Sequence, residues 1–254
     1  MKVVILCGGK GTRLEQETDF KPKPMVEIGG RPILWHIMNI YSYYGFKDFV
    51  LCLGYKGEKI REYFINYGGR NSICINRTHS NIEFHIKTLN WTVNLAYTGE
   101  ESQTGARIKK IEEFIKQDSF MVTYGDGVAN INIGKLVKFH KKQGTIATVT
   151  GVHPASRFGE LIIKNDKAVV FSEKPQTSQG YINGGFFVFN KNFFRYVNNN
   201  KDCSLEGKPL EKLAKTGELS VYKHNDYWQC MDTRRELMLL RNLWKSGNAP
   251  WRLR

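Results

Sequence analysis

Apolar and polar positions along the chain alternate between two rhythms. Unbroken apolar runs at 3–7, 49–53 and 120–123 each end at or just before a glycine. Runs this short, with no polar face, read as strands buried on both sides. Between them the apolar positions switch to helical spacing. Residues 33, 34, 37, 38, 41 and 44 line one face, with Pro32 near the start and Gly45 as the stop. Shorter helical patterns follow at 58–64, 106–115, 133–142, 209–216 and 233–246, and further strands at 146–152 and 219–223.

This order predicts an α/β fold whose parallel sheet is covered on both faces. Residues 66–104 break the rhythm. They are polar, with short alternating segments at 82–86 and 92–95, and read as an inserted antiparallel excursion. Region 157–190 is richer in strands, at 161–163, 169–171 and 182–190, and reads as a second lobe. No internal repeat or low-complexity linker divides the chain, so a single domain is expected over 1–254.

A chain of 254 residues that is 41% hydrophobic and 13% aromatic buries a full core and is not disordered. Its 38 Lys and Arg against 24 Asp and Glu give a formal charge of +14, so polyanionic partners have to be weighed. The lysines are scattered, Lys109-Lys110 and Lys141-Lys142 being their longest runs, and there is no arginine-rich block or zinc-finger spacing. The reading is a solvated basic surface, with no nucleic-acid partner. Five cysteines, odd in number and never at metal-ligand spacing, argue for a reducing compartment. The first apolar run lasts five residues, too short for a signal peptide, and no stretch reaches the length of a membrane span. A cytoplasmic protein with no membrane partner is expected.

Candidate chemistry begins where the first strand runs into Gly8-Gly9-Lys10-Gly11-Thr12-Arg13, with Lys21-Pro22-Lys23-Pro24-Met25 just after. A glycine turn exposes backbone N–H groups and lets an anion approach where no Cβ stands; Arg13 and Lys23 add full charges. That composition suits a nucleoside triphosphate. It is not the ATPase phosphate loop, which needs a Gly-Lys-Ser/Thr ending. Nor is it the dinucleotide fingerprint, because Leu14 stands where the third glycine belongs. Asp126 lies between Gly125 and Gly127 at the carboxyl end of an apolar strand, where ligands of open α/β sheets bind. The glycines leave room for hydrated Mg²⁺ and phosphates beside one carboxylate. Asp232, just before the last helix, is the candidate second carboxylate. Singly, Asp126 reads as well as a turn residue, and Asp232 as a helix N-cap. Glu173-Lys174 closes one strand and Asn183-Gly184-Gly185 opens another. A lysine and an amide beside glycines suit a sugar phosphate, though both are also ordinary turn sequences.

In their order along the chain these motifs, with Met231-Asp232-Thr233, resemble the sugar-1-phosphate nucleotidyltransferase family. Met25–Met38 and Ile182–Val188 are similar to its glucose-1-phosphate cytidylyltransferase branch, and the resemblance covers essentially the whole chain. It implies a Rossmann-like core with a mixed, mostly parallel sheet, formed by 1–65 and 105–155, with 66–104 inserted. A small β-rich acceptor-binding lobe over 156–232 and a C-terminal helix over 233–254 complete it. It also implies CTP as donor, Mg²⁺ as cofactor, a phosphorylated small molecule as acceptor and a homo-oligomer. By the same resemblance Leu6, Gly8, Gly9, Gly11 and Thr12 hold the nucleotide, with Thr104 and Gly105 reading its base. Arg13 and Lys23 act on the reacting phosphates, Asp126 and Asp232 bind the metal, and Gly159, Glu173, Lys174 and Asn183 take the acceptor.

The favoured acceptor is glucose 1-phosphate, giving CDP-glucose for surface or capsular polysaccharide. The chain departs from the family on the acceptor side. Leu205-Glu206-Gly207-Lys208 precedes Pro209 where the family has Trp-Glu and a further Glu, and Cys230 replaces a proline. A non-sugar acceptor such as L-glutamine phosphate therefore stays open. An inactive nucleotide-binding regulatory homologue is the reading from another class.

Overall fold

Val3–Leu6 is buried residue by residue because it runs through the middle of a sheet with a core on each face. Val3 and Ile5 point into one core, whereas Val4 and Leu6 point into the other. Phe49, Leu51 and Leu53 alternate in the same way with Val50 and Cys52. The unalternating apolar runs are thus two period-2 faces, both buried. The computed structural model describes residues 1–68, 72–77, 81–154, 160–164, 167–172 and 180–253.

The strands are β1 (Val3–Leu6), β2 (Glu27–Ile28), β3 (Arg31–Pro32), β4 (Asp48–Leu53), β5 (Ser72–Arg77), β6 (Asn81–Ile86), β7 (Trp91–Tyr97) and β8 (Ser119–Tyr124). They continue as β9 (Gly127–Ala129), β10 (Ala147–Val152), β11 (Glu160–Lys164), β12 (Lys167–Ser172), β13 (Ile182–Asn190), β14 (Leu219–His224) and β15 (Trp228–Cys230). The helices are α1 (Glu15–Thr18), α2 (Ile33–Tyr43), α3 (Gly57–Gly68), α4 (Thr104–Lys110), α5 (Ile133–Gln143), α6 (Lys208–Lys215) and α7 (Arg234–Lys245).

Among the described residues the main sheet has nine strands, in the order β14-β10-β13-β8-β1-β4-β7-β6-β5. β8, β1, β4 and β7 run parallel through its middle. Antiparallel β13 joins β8 on one side, and β6 with β5 extends the other. Helices α2, α3, α5 and α7 supply one core, and α4 and α6 the other. β11 and β12 form a separate antiparallel pair.

One expectation needs correction. β6 and β7 are antiparallel as read, with β5 added beyond β6, but β7 also lies parallel to β4 inside the main sheet. Trp91, Val93 and Leu95 bury one face of it while Asn94 and Ala96 are buried on the other. A polar Asn among those positions hid a doubly covered strand. Among the described residues no helix is long and apolar enough to cross a membrane.

His36, on α2, carries a testable consequence of this burial. It is 2% exposed, its Nε2–H donates to the Ile28 carbonyl at 2.9 Å, and Trp244 stands edge-on to its ring. Burial pulls its pKa down to about 4, against the opposing effect of its backbone hydrogen bonds. The native state therefore resists a proton that the unfolded chain accepts near 6.5. Stability should fall as pH drops from about 6.5 to about 4, by up to about 3 kcal/mol from this group. Urea unfolding of the wild type and His36→Leu at pH 7 and pH 4.5 checks it. Parallel pH dependences would remove His36 from the account.

Candidate active site

β1 delivers the chain to Gly8 at the edge of a cleft of about 440 Å³, which opens at the carboxyl ends of β1 and β8. A Cβ on Gly8 would stand 2.1 Å from Arg107 Nη1, so any larger residue would have to displace the guanidinium. Gly11 takes a left-handed φ of 64°, which glycine adopts at least cost. A Cβ on Gly9 would meet nothing within 4 Å, so its backbone is open to a ligand. Leu6, Thr12, Thr104 and Asn183 also line the cleft. Gly105 sits behind it, packed against the Cys203 carbonyl, where a Cβ would lie at 2.9 Å. Gly159, Glu173 and Lys174 lie outside the described residues.

Lys23 follows Pro22 on a single 3₁₀ turn over Lys23–Met25. Its Nζ donates to Asp126 Oδ2 at 2.7 Å and also to Asp232 Oδ1. Arg13 Nη1 donates to Asp232 Oδ2 at 2.9 Å. Two carboxylates and two cations distant in sequence thus meet on one wall. The join is made by backbone pairing. β9 leaves Asp126 antiparallel to β15, and Met231 N–H donates to the Asp126 carbonyl at 2.9 Å.

The N-cap of α7 is Thr233, in a capping box with Glu236, rather than Asp232. Glu236 accepts the Asp232 and Thr233 N–H groups at 2.8 and 2.7 Å. The Asp232 carboxylate is therefore free to face the cations. Partial burial alone would raise its pKa, but the bond and charge of Lys23, with Arg13, hold it below the ordinary range. Burial likewise works against the Lys23 ammonium, yet Asp126 and Asp232 outweigh it and raise its pKa.

Arg107 is the residue that sequence reasoning missed. It is 3% exposed, and its guanidinium donates to the carbonyls of Gly8 (2.9 Å), Leu53 (3.1 Å), Gly99 (2.7 Å) and Glu100 (3.0 Å) and to Thr98 Oγ1 (2.8 Å). It ties the ends of β1, β4 and β7 beneath the glycine turn with neutral acceptors only, leaving its positive charge on the cleft wall. Burial lowers its pKa from the usual arginine value. The one sequence signal was an arginine between Ala106 and Ile108 on a helix with apolar neighbours.

A family model described as nucleotidyl transferase matches residues 2–233. The chain belongs to the nucleotidyl transferase family. It is 48% identical over 255 residues to the glucose-1-phosphate cytidylyltransferase of Salmonella typhimurium, covering 99% of each chain. The UTP–glucose-1-phosphate uridylyltransferase of Synechocystis is 29% identical, covering 91% of this chain and 62% of that one. In solved structures, HddC from Yersinia pseudotuberculosis superposes with a TM-score of 0.71 at 25% identity, over 96% of this chain and 99% of that one. The α/β nucleotidyltransferase fold read from the sequence is therefore the fold observed. A nucleotidyltransferase with this cleft has its two carboxylates and two cations at the carboxyl edge of the parallel strands, where an open α/β sheet places its ligand.

Proposed function

We propose that the chain transfers CMP from CTP to glucose 1-phosphate, releasing pyrophosphate and forming CDP-glucose. The observation that carries this reading is the convergence of Arg13, Lys23, Asp126 and Asp232 beside an open glycine turn. Full-length similarity to a glucose-1-phosphate cytidylyltransferase supports the choice of substrates. An oxygen of the acceptor phosphate attacks the α-phosphorus of CTP. The bond from that phosphorus to the bridging oxygen breaks, and pyrophosphate leaves with the electron pair. The nucleophile arrives as an anion, so no general base is needed; the work is alignment and charge neutralisation. The raised pKa of Lys23 keeps it an ammonium throughout. Arg13, exposed at the mouth, is placed to follow the charge that develops on the leaving pyrophosphate.

Asp126 and Asp232 fit Mg²⁺. Both carboxylates already converge on one cation, Lys23 Nζ. Mg²⁺ needs only one or two protein carboxylates and completes its shell with water and phosphate oxygens. When bound it supplies further neutralisation of phosphate charge. Asn183 has one amide N–H left for acceptor hydroxyls, the other donating to Tyr124 OH at 3.0 Å and its Oδ1 being held by the Gly185 N–H at 2.8 Å. A cytoplasmic homo-oligomer feeding surface-polysaccharide synthesis completes the reading.

The test is pyrophosphate release with CTP, UTP, dTTP, ATP and GTP against glucose 1-phosphate and other phosphorylated acceptors, with and without Mg²⁺. CTP with glucose 1-phosphate and Mg²⁺ should be the productive combination. Turnover with L-glutamine phosphate but not glucose 1-phosphate would keep the cytidylyl transfer and discard the sugar. No turnover with any pair would support the inactive homologue.

A further inference from the structure

Glu206, an exposed residue beside the cleft, has no cation of its own among the described residues. Glu206 accepts from Tyr124 OH at 2.5 Å, Ser204 Oγ at 2.6 Å and Thr104 Oγ1 at 2.7 Å. Among the described residues it makes no ion pair. Burial alone would raise its pKa, but these three hydroxyl bonds outweigh burial and lower it, so it is ionised at neutral pH. Tyr124 OH in turn accepts from Asn183 Nδ2 at 3.0 Å, and Thr104 Oγ1 accepts from the Leu205 N–H at 2.8 Å. The Tyr124 ring is pressed against Gly185, where a Cβ would lie 2.5 Å from it.

The consequence is a wall whose hydroxyl protons all point away from the cleft, toward Glu206. Tyr124, Thr104 and Asn183 line the cleft. The two hydroxyl oxygens there present lone pairs, backed by a full negative charge, to whatever binds. Such a wall complements hydroxyl donors and opposes an anion. The cationic end, at Arg13 and Lys23, takes phosphate. An acceptor spanning both ends therefore needs one anionic end and one neutral, donor-rich end.

We propose that Glu206 sets the charge class of the acceptor, selecting a neutral polyhydroxyl phosphate over one with a second anionic group. This rests on the reading that the Asn183 side of the cleft takes the acceptor. Glu206 acts through Tyr124 and Thr104, by its charge and by the orientation it imposes on their hydroxyls.

The measurement is the ratio of kcat/KM for glucose 1-phosphate to that for glucuronic acid 1-phosphate, with CTP, in the wild type and Glu206→Gln. The pair differs by one carboxylate on an otherwise equal ring. Removing one charge at this range should lower the ratio about tenfold. The absolute rate with glucose 1-phosphate also falls, as one hydroxyl loses its acceptor. A merely structural role for Glu206 would slow both acceptors equally, and an unchanged ratio overturns the proposal. Should the variant fold poorly, salt decides with the wild type alone. Discrimination by charge shrinks between 0.05 and 0.5 M NaCl, whereas discrimination by shape does not. The wild-type rate with glucose 1-phosphate separately judges the proposed reaction. Without turnover, equilibrium binding of the two phosphates to the CTP-loaded protein gives the corresponding ratio of affinities, which should fall in Glu206→Gln as well.

Discussion

Asp126→Asn is expected to lower kcat about a thousandfold while the protein stays folded, the scale of losing one preorganised charge at a phosphoryl centre. The side chain keeps its shape, and the Asp126 carbonyl still accepts the Met231 N–H, so the β9–β15 join survives. What changes is charge. Arg13 and Lys23 now face Asp232 alone, and the wall gains a net positive unit. An anionic substrate should bind such a wall at least as well, so KM for CTP should hold or fall. The loss should appear in kcat, together with at least about a tenfold rise in the Mg²⁺ concentration for half-activation. Steady-state kinetics over a Mg²⁺ series, with far-UV circular dichroism as the control for folding, decides it. A variant with normal kcat and normal metal dependence would remove Asp126 from the reacting centre.

Lys23→Ala is expected to cost a comparable factor, about a thousandfold in kcat with less than about a tenfold rise in KM for CTP. Lys23 is 11% exposed and bridges both carboxylates. Its loss leaves Asp126 and Asp232 facing each other with only Arg13 to offset them, so one carboxylate should take up a proton more readily. The pH–kcat profile of the variant should therefore lose activity at a higher pH on its acid limb than the wild type. Lys23 itself adds no limb below its ordinary pKa, because that pKa is raised in the folded protein. A change confined to KM, with an unshifted profile, would make Lys23 a binding residue only.

The strands, most helices and the glycine turn were legible because each depends on neighbours a few residues away. A four-residue run such as Val3–Leu6 has one economical place, between two cores. Gly8, Gly9 and Gly11 announce a backbone that something must approach. Asp126 was legible for the same reason, since strand, glycine, carboxylate and glycine are contiguous. Whether Asp232 belonged with it could not be read locally. Its position before α7 equally suited a cap, until Thr233 and Glu236 were seen to fill that role and β15 was seen to pair with β9.

Arg107 and Glu206 were out of reach for a related reason. An arginine on a helix normally faces solvent, and only the packing of three strand ends above α4 supplies the carbonyls that hold this one inside. Glu206 looked like one letter in a divergent segment, yet the segment folds back onto the first turn of α4, which bears Thr104, with the Cys203 carbonyl accepting the Ala106 N–H at 3.0 Å. Periodicity reports which face of an element is buried. It carries no information about which distant element covers that face, and the covering element decides which charges go without partners. The chain's own pattern therefore specified an α/β frame and the phosphate end of its cleft. The pairing of the carboxylates, the buried guanidinium and the anionic wall each include contacts between residues far apart in sequence, such as Arg13 with Asp232, Arg107 with Gly8 and Thr104 with Glu206, which exist only once the sheet order is in place.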